Sequence, residues 1–217
     1  MAEWHPAFEE YAEAIYELAE DDLDVIQARI ADRLGVSRPS VSETIRRMEV
    51  EGLVTADRSG VNLTLTGQTL GEQVVRRHRL AERFITDILG LSWADAHREA
   101  GKWEHVMSEQ VEEAFVRVLG APTTCPHGNP IPGSAYAAPA MRALLDVPVG
   151  TSFTVARIPE ELEFAPGLLE FLETSDVLPG RHGTLTALSP DGTVTVEIDG
   201  RHVGIGSFAS ARILVLA

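Results

Sequence analysis

The sequence predicts a multi-domain α+β chain in three parts: a helix-turn-helix with a β-hairpin wing, an all-α middle, and a small β-barrel. Three observations predict this. Apolar residues recur at helical steps of three and four in the first half of the chain. Within that half, an alternating hairpin pattern follows two short helices joined at a glycine. From about Val147 a period of two takes over, broken at regular intervals by turn residues. The 217 residues accommodate this division as 1–68, 69–133, a linker over 134–146, and 147–217.

Residues 7–20 are helical by composition, and Phe8, Tyr11, Ala14, Ile15 and Leu18 form one apolar face. Glu10 and Glu13 lie nearly side by side on that helix. Ile26, Ile30 and Leu34 mark a second, short helix, which Gly35 closes. Ser37 then caps a third helix, with Pro39 in its first turn and Val41, Ile45 and Met48 on its apolar side. Leu53–Ala56 and Val61–Leu65 alternate around Arg58-Ser59-Gly60, which is a hairpin pattern. Two helices, a tight turn and a hairpin in this order make a winged helix-turn-helix.

The chemistry of its outer face suits DNA. Arg29, Arg46, Arg47 and Arg58 are placed for phosphate, which positions a protein without reading sequence. Ser37, Pro39 and Ser40 begin the recognition helix and would meet base edges; Arg38 could contact either, and Ser42 shares the same face. The whole chain carries a net charge of −15, which opposes DNA binding. Locally the balance reverses, since residues 25–50 hold five arginines against three acids. A bound divalent cation would offset part of the remaining negative charge.

The middle segment supplies the materials for such a cation site. His78 and Glu82 stand at i and i+4, so they leave one helix face a turn apart. After Gly90, His97 and Glu104 stand two turns apart, with His105 adjacent. Imidazole and carboxylate together are divalent-metal ligands. Beyond them, residues 120–140 are rich in Gly and Pro and read as a loop. Cys125 and His127 stand two apart there, but no second Cys/His pair is near, which favours a packed loop over a metal site. From Val147 onward five strand patterns and one short helix over 166–177 read as an SH3-like barrel without catalytic residues; His182 and His202 fall at its surface or turns.

No run of about 18 apolar residues occurs, so no transmembrane helix is expected. The acidic N-terminus lacks the order of a secretory signal, and the one cysteine excludes an internal disulfide. These features point to a cytoplasmic protein with no membrane partner. No HExxH motif, nucleophile motif or phosphate loop supports a metal-dependent hydrolase with a small-molecule substrate.

The segments SRPSVSETIRRMEVEGLV, RRHRLAERF, HREAGKWEHVMS and GNPIPG, in that order, resemble the diphtheria toxin repressor family of metal-activated repressors, including its manganese-responsive branch. The resemblance covers residues 8–133, and the tail resembles the family's SH3-like third domain. It implies a homodimer that binds palindromic double-stranded operator DNA, with helices over 69–89 and 94–118 holding metal and forming the dimer core. It implies metal ligands at Glu10, Glu13, Glu104 and His105, with His78, Glu82 and His97 as the remaining helical ligands. Ser37 and Pro39 match the base-contacting positions.

Two features depart from the family pattern. Gly101 stands where relatives place cysteine or glutamate, and glycine offers no side-chain ligand and costs about 1 kcal/mol in a helix. The third-domain ligands of iron-type relatives align with Ala165 and Leu168, leaving Glu161, Glu163 or Glu170 as replacements. Without Cys or Met, the helical donor set is oxygen and imidazole, which suits Mn2+, with Fe2+ the alternative. Zn2+ or Co2+ would also bind in vitro by their intrinsic affinity order. A repressor freed from metal control by Gly101 is a further alternative.

Overall fold

The computed structural model describes residues 5–58 and 60–217; Ser59, at the expected wing tip, lies outside the described residues. The first unit comprises α1 (Pro6–Glu20), α2 (Gln27–Leu34), α3 (Arg38–Val50), β1 (Val54–Asp57) and β2 (Gly60–Leu63). Gly35 ends α2 in the left-handed conformation at φ 63°. The Ser37 hydroxyl then accepts from the Ser40 amide at 3.3 Å and opens α3. These are the stop and start that the sequence predicts. The two strands pair antiparallel, with Val54 opposite Leu63 and Asp57 opposite Gly60. Phe8, Ile15, Ile30, Val41, Ile45, Met48 and Leu53 pack into one core, to which Leu70 and Val74 of the next helix also belong. The reading head is therefore not a separate body, because the following helix completes its core.

That helix is α4 (Leu65–Asp87), followed by α5 (Trp93–Trp103) and α6 (Glu109–Val118). Two expectations are corrected here. The helix expected from residue 69 starts at Leu65, because the Thr64 hydroxyl accepts from the Gly67 amide at 3.2 Å and caps it. The helix expected over 94–118 is two helices, since the chain turns through residues 104–106 and Ser108 caps a new start. Small residues bring these helices close. Ala81, Ala96 and Ala100 are fully buried in a small core with Ile85 and Met107. At the α1–α4 crossing, a Cβ on Gly71 would lie 2.9 Å from the Ala12 carbonyl oxygen. Only glycine permits that approach, and the approach sets Glu13 of α1 beside His78 of α4.

The third unit contains β3 (Arg142–Ala143), a 3-10 turn over Leu144–Asp146, β4 (Ser152–Arg157), α7 (Glu160–Glu163) and α8 (Leu168–Thr174). It continues with β5 (His182–Leu188), β6 (Val194–Ile198), β7 (Arg201–Ile205), α9 (Ser207–Ser210) and β8 (Leu214–Leu216). Its sheet is antiparallel in the order β3-β8-β4-β5-β6-β7. Among the described residues the end strands do not pair with each other, so the expected SH3-like barrel is an open SH3-like sheet. The sheet also begins at Arg142, inside the stretch expected to be linker. Trp93 and Ala94 of α5 enter this unit's core, which locks the helical middle against it. Among the described residues no helix is long and apolar enough to cross a membrane.

One fully buried cation ties the three units together. Arg79 of α4 donates to Glu20 at 2.7 and 3.0 Å, to the Pro130 carbonyl at 2.5 Å, and to Glu160 of α7 at 3.1 and 3.2 Å. Arg157 of β4 reaches the same Glu20 at 3.0 Å and Asp21 at 2.7 Å. Removing one member of such a buried set strands the others. Arg79→Met should therefore lower stability by about 3–5 kcal/mol. The expected reading is a lower urea midpoint at unchanged m-value; an unshifted midpoint would show the tie to be dispensable.

Candidate metal centre

Four elements deliver carboxylates and imidazoles to one buried line. His78 of α4 stands at its middle. Its Nδ1 lies 2.5 Å from Glu104 Oε2 and 3.8 Å from Glu13 Oε1. Its Nε2 lies 3.2 Å from both Glu82 Oε1 and His97 Nδ1. One ring thus faces two clusters. Glu13, His78 and Glu104 can converge on one ion, and so can His78, Glu82 and His97.

The first cluster joins α1 to the end of α5. Glu104 Oε1 lies 3.1 Å from His105 Nε2, and His105 Nδ1 lies 2.7 Å from Glu9 of α1. Glu104 and His105 sit at the turn after α5 rather than inside a helix, which lets neighbouring residues aim at the same place. Glu10 is exposed, on the rim of a cavity of about 390 Å³ that Glu13, His97, Gly101, Glu104 and Glu163 also line. Gly101 is exposed, and a Cβ there would meet nothing within 4 Å. The missing side chain therefore leaves open space on the cavity.

The second cluster draws on the third unit. His97 Nδ1 lies 3.0 Å from Glu82 Oε1 and 3.2 Å from Glu163 Oε2 of α7. His97, Glu160 and Glu163 also lie close enough to share an ion. Ala165 and Leu168, which align with the third-domain ligand positions of relatives, offer no side-chain donor here. Leu168 packs on the apolar core, Glu161 pairs with Arg212, and Glu170 is exposed. Only Glu163 of the three named replacements reaches the cluster, and Glu160 and Glu9 join without having been foreseen. The spacing of Glu160 and Glu163, i and i+3 after Pro159, is the signal that could have found the pair.

Burial and crowding set the protonation of these groups. Burial, then the nearby Glu104, pushes Glu13 up to about 8. Burial opposes the charged form of Glu104, but His78 and His105 outweigh it and hold Glu104 at about 2. Burial would lower His97, yet Glu163 and Glu82 raise it to about 10. The bond to Glu104 lifts His105 to about 9. Burial, then Glu163, raises Glu160 to about 7. Oε2 of Glu82, Glu160 and Glu163 are buried without a hydrogen-bond partner. Buried acceptors in that state fit a cation, and oxygen with imidazole is a divalent-metal donor set.

Most of the expected DNA-facing residues lie at the surface of the first unit. Ser37, Arg38, Pro39, Ser40, Arg46, Arg47 and Arg58 are exposed, while Arg29 and Ser42 are half-buried. Arg47 also sits over the Phe8 ring at 5.2 Å.

Residues 5–60 match the model of the iron dependent repressor N-terminal DNA binding domain. Residues 64–133 match that of the iron dependent repressor metal binding and dimerisation domain. The chain is 41% identical over 206 residues to the iron-dependent repressor IdeR of Mycobacterium tuberculosis, covering 88% of each chain. It is 52% identical over 127 residues to the diphtheria toxin repressor of Corynebacterium diphtheriae, covering 58% of this chain and 56% of that one. The solved structure of a manganese-dependent transcriptional repressor in complex with manganese matches with a TM-score of 0.86 at 32% identity, over 97% of this chain and 99% of the other.

Linkage gives the metal-free protein a defined pH response. His97 and His105 have folded pKa values of about 10 and about 9, above the ordinary 6.5. Their contribution is full below 6.5 and is lost as pH rises through the folded values. Glu13, raised to about 8, has the same sign. The urea midpoint of metal-free protein should therefore fall between about pH 7 and about pH 10, less steeply in His105→Gln. A flat profile would mean that these groups are not tied in solution as they are here.

Proposed function

The chain belongs to the diphtheria toxin repressor family of metal-dependent transcriptional repressors, and from that premise we propose that Mn2+ switches it on for binding to palindromic operator DNA as a homodimer. It is a DNA-binding regulator and not an enzyme. The regulated genes, on this reading, are those of metal-ion homeostasis.

The observation that carries the proposal is the position of α1. One face of this helix lies in the core of the reading head, through Phe8, Ile15 and Leu18. The other places Glu9 against His105 and Glu13 against His78. Whatever settles the cluster settles the head. Glu13, His78, Glu104 and His105 would hold one ion, with Glu10 at the rim; His78, Glu82 and His97 would hold or share another, with Glu163 from the third unit. A bound ion supplies positive charge where buried carboxylates otherwise repel one another. Glu104 and His105 then bridge α5 to α1, and Glu17 holds Arg33 of α2 at 2.8 Å. Arg33 in turn stacks on Phe164 of the third unit at 4.2 Å, so the head is referenced to both neighbours. The outcome is a population shift towards the head orientation that fits DNA.

On DNA, Arg29, Arg46, Arg47 and Arg58 would contact phosphate, and Ser37, Arg38, Pro39, Ser40 and Ser42 would face the major groove. A two-fold dimer presents two such helices to a palindrome. Exposed Ile88, Leu89, Val106 and Val118 in the helical unit supply apolar surface for self-association. Mn2+ is favoured over Fe2+ because the helical donors are carboxylate and imidazole alone. Fe2+ is the competing metal, since 41%-identical relatives are named iron-dependent.

The deciding experiment selects genomic fragments with metal-stripped protein, with and without Mn2+, at one salt concentration. Recovery of a palindrome only with Mn2+ is expected. Recovery only with Fe2+ would reassign the metal, and equal recovery in chelator would remove metal control. In addition, Glu104→Ala with His105→Ala should abolish the metal-stimulated gain in operator affinity while far-ultraviolet circular dichroism stays unchanged. Undiminished stimulation would overturn the assignment of the first cluster.

A further inference from the structure

Helix α1 joins the first donor cluster to the reading head, and the second cluster meets the head at another place. Glu163 stands 3.2 Å from His97 in that cluster, and the next residue, Phe164, ends α7. The Phe164 ring centroid lies 4.2 Å from the Arg33 guanidinium of α2. The same ring is 5.3 Å from the His97 ring, with the planes at 89°, an edge-to-face contact. One aromatic side chain of the third unit therefore touches both a candidate metal donor and the helix-turn-helix.

Both ends of this contact are anchored. In the third unit, Leu162 is fully buried in the apolar core and Glu160 pairs with Arg79, which fixes α7 on either side of Glu161. In the head, Ile30 and Ala31 of α2 are core residues. Arg33 comes two residues before Gly35, where the chain turns towards the recognition helix. Its side chain is 5% exposed and donates to Glu17 at 2.8 Å. A desolvated guanidinium gains more from an aromatic face than an exposed one, and its flat fork stacks where an ammonium does not. Phe164, by contrast, is 47% exposed. Half in water, the ring contributes little to the core, so what it does is done through Arg33 and His97.

We propose that Phe164 is a positioning residue of the switch, carrying the state of the second cluster to α2 along a path separate from α1. This role rests on the metal-activated reading of the chain. Once His97 and Glu163 are held together, the end of α7 is fixed, and Phe164 then holds Arg33 in place. Helix α2 and the turn at Gly35 keep the orientation in which α3 is presented to DNA. The first cluster sets α1, the second sets α2, and a head gripped at two points cannot pivot about either one.

The test has one arm without metal or DNA and one with Mn2+, both on the full chain. In metal-stripped protein, a double-mutant cycle combines Phe164→Leu, which keeps apolar bulk but removes the ring face, with Arg33→Lys, which keeps the charge but not the flat fork. The unfolding constants from urea titration should depart from additivity by about 2- to 5-fold. With Mn2+ added, amide hydrogen exchange over 27–34 should slow in wild type. Phe164→Leu should lose most of that slowing while α1 keeps its own, and Phe164→Trp, the stronger cation acceptor, should restore it. Mn2+ bound per subunit should be the same in all three. Operator affinity in Mn2+ should fall about 2- to 5-fold in Phe164→Leu and recover in Phe164→Trp. An additive cycle, or α2 protection in Phe164→Leu equal to that of wild type, would overturn the proposal; so would α1 and α2 losing protection together. Wild type whose exchange and operator affinity ignore Mn2+ would overturn the metal-activated reading itself, a failure that the metal-free cycle distinguishes from loss of the Phe164–Arg33 contact.

Discussion

Repulsion among buried carboxylates is the constraint on which the rest of this molecule depends. Glu13, Glu17, Glu82, Glu104, Glu160 and Glu163 are enclosed at the meeting of α1, α4, α5 and α7. Their Coulomb energy grows as water is excluded, and no packing of apolar groups can remove it. The chain meets it with fixed cations and imidazoles. Arg79 neutralises Glu20 and Glu160, Arg33 neutralises Glu17, and histidines stand against Glu82, Glu104 and Glu163. The compensation is incomplete, since Oε2 of Glu82, Glu160 and Glu163 is buried without a hydrogen bond. Positive charge placed among these oxygens would relieve the remaining repulsion.

The position of α1 joins this charged cluster to the DNA-binding head. The helix shares its apolar face with the reading head and its acidic face with the cluster, so one rigid element feels both. The crossing at Gly71 keeps α1 against α4 at a distance no larger residue permits. The third unit is part of the same assembly. Trp93 of α5 is buried in its core, Phe164 receives Arg33, and Glu163 faces His97. Coupling along such a path requires no long wire, because each step is a direct contact.

Gly101 illustrates how a departure from a family pattern acquires meaning in three dimensions. In sequence it reads as a lost ligand in a helix interior. In the structure it borders the cavity between the clusters, with open space where a side chain would stand, while Glu13 and Glu104 already face each other through His78. The candidate donors at the first cluster therefore come from α1, α4 and the turn after α5, not from the middle of α5.

Much of this was legible in the residues alone. The winged helix-turn-helix followed from Gly35, the Ser37 cap and the alternating hairpin, because caps and periodicity are local physics. The pairing of His78 with Glu82 followed from helical spacing, and the likeness of the EH pair at Glu104 and His105 to a metal-activated family followed from motif order. What the sequence could not hold was the distance between segments far apart in the chain. Glu160 and Glu163 reach the cluster only because β4 and the short helix after it dock against α4, a contact across some eighty residues. Glu9 meets His105, and the Cys125 turn meets Glu82, for the same reason. Local preference determined the elements and the chemistry each one carries. Tertiary packing decided which charges share one dry space, since burial and Coulomb energy depend on position in three dimensions and not on order along the chain.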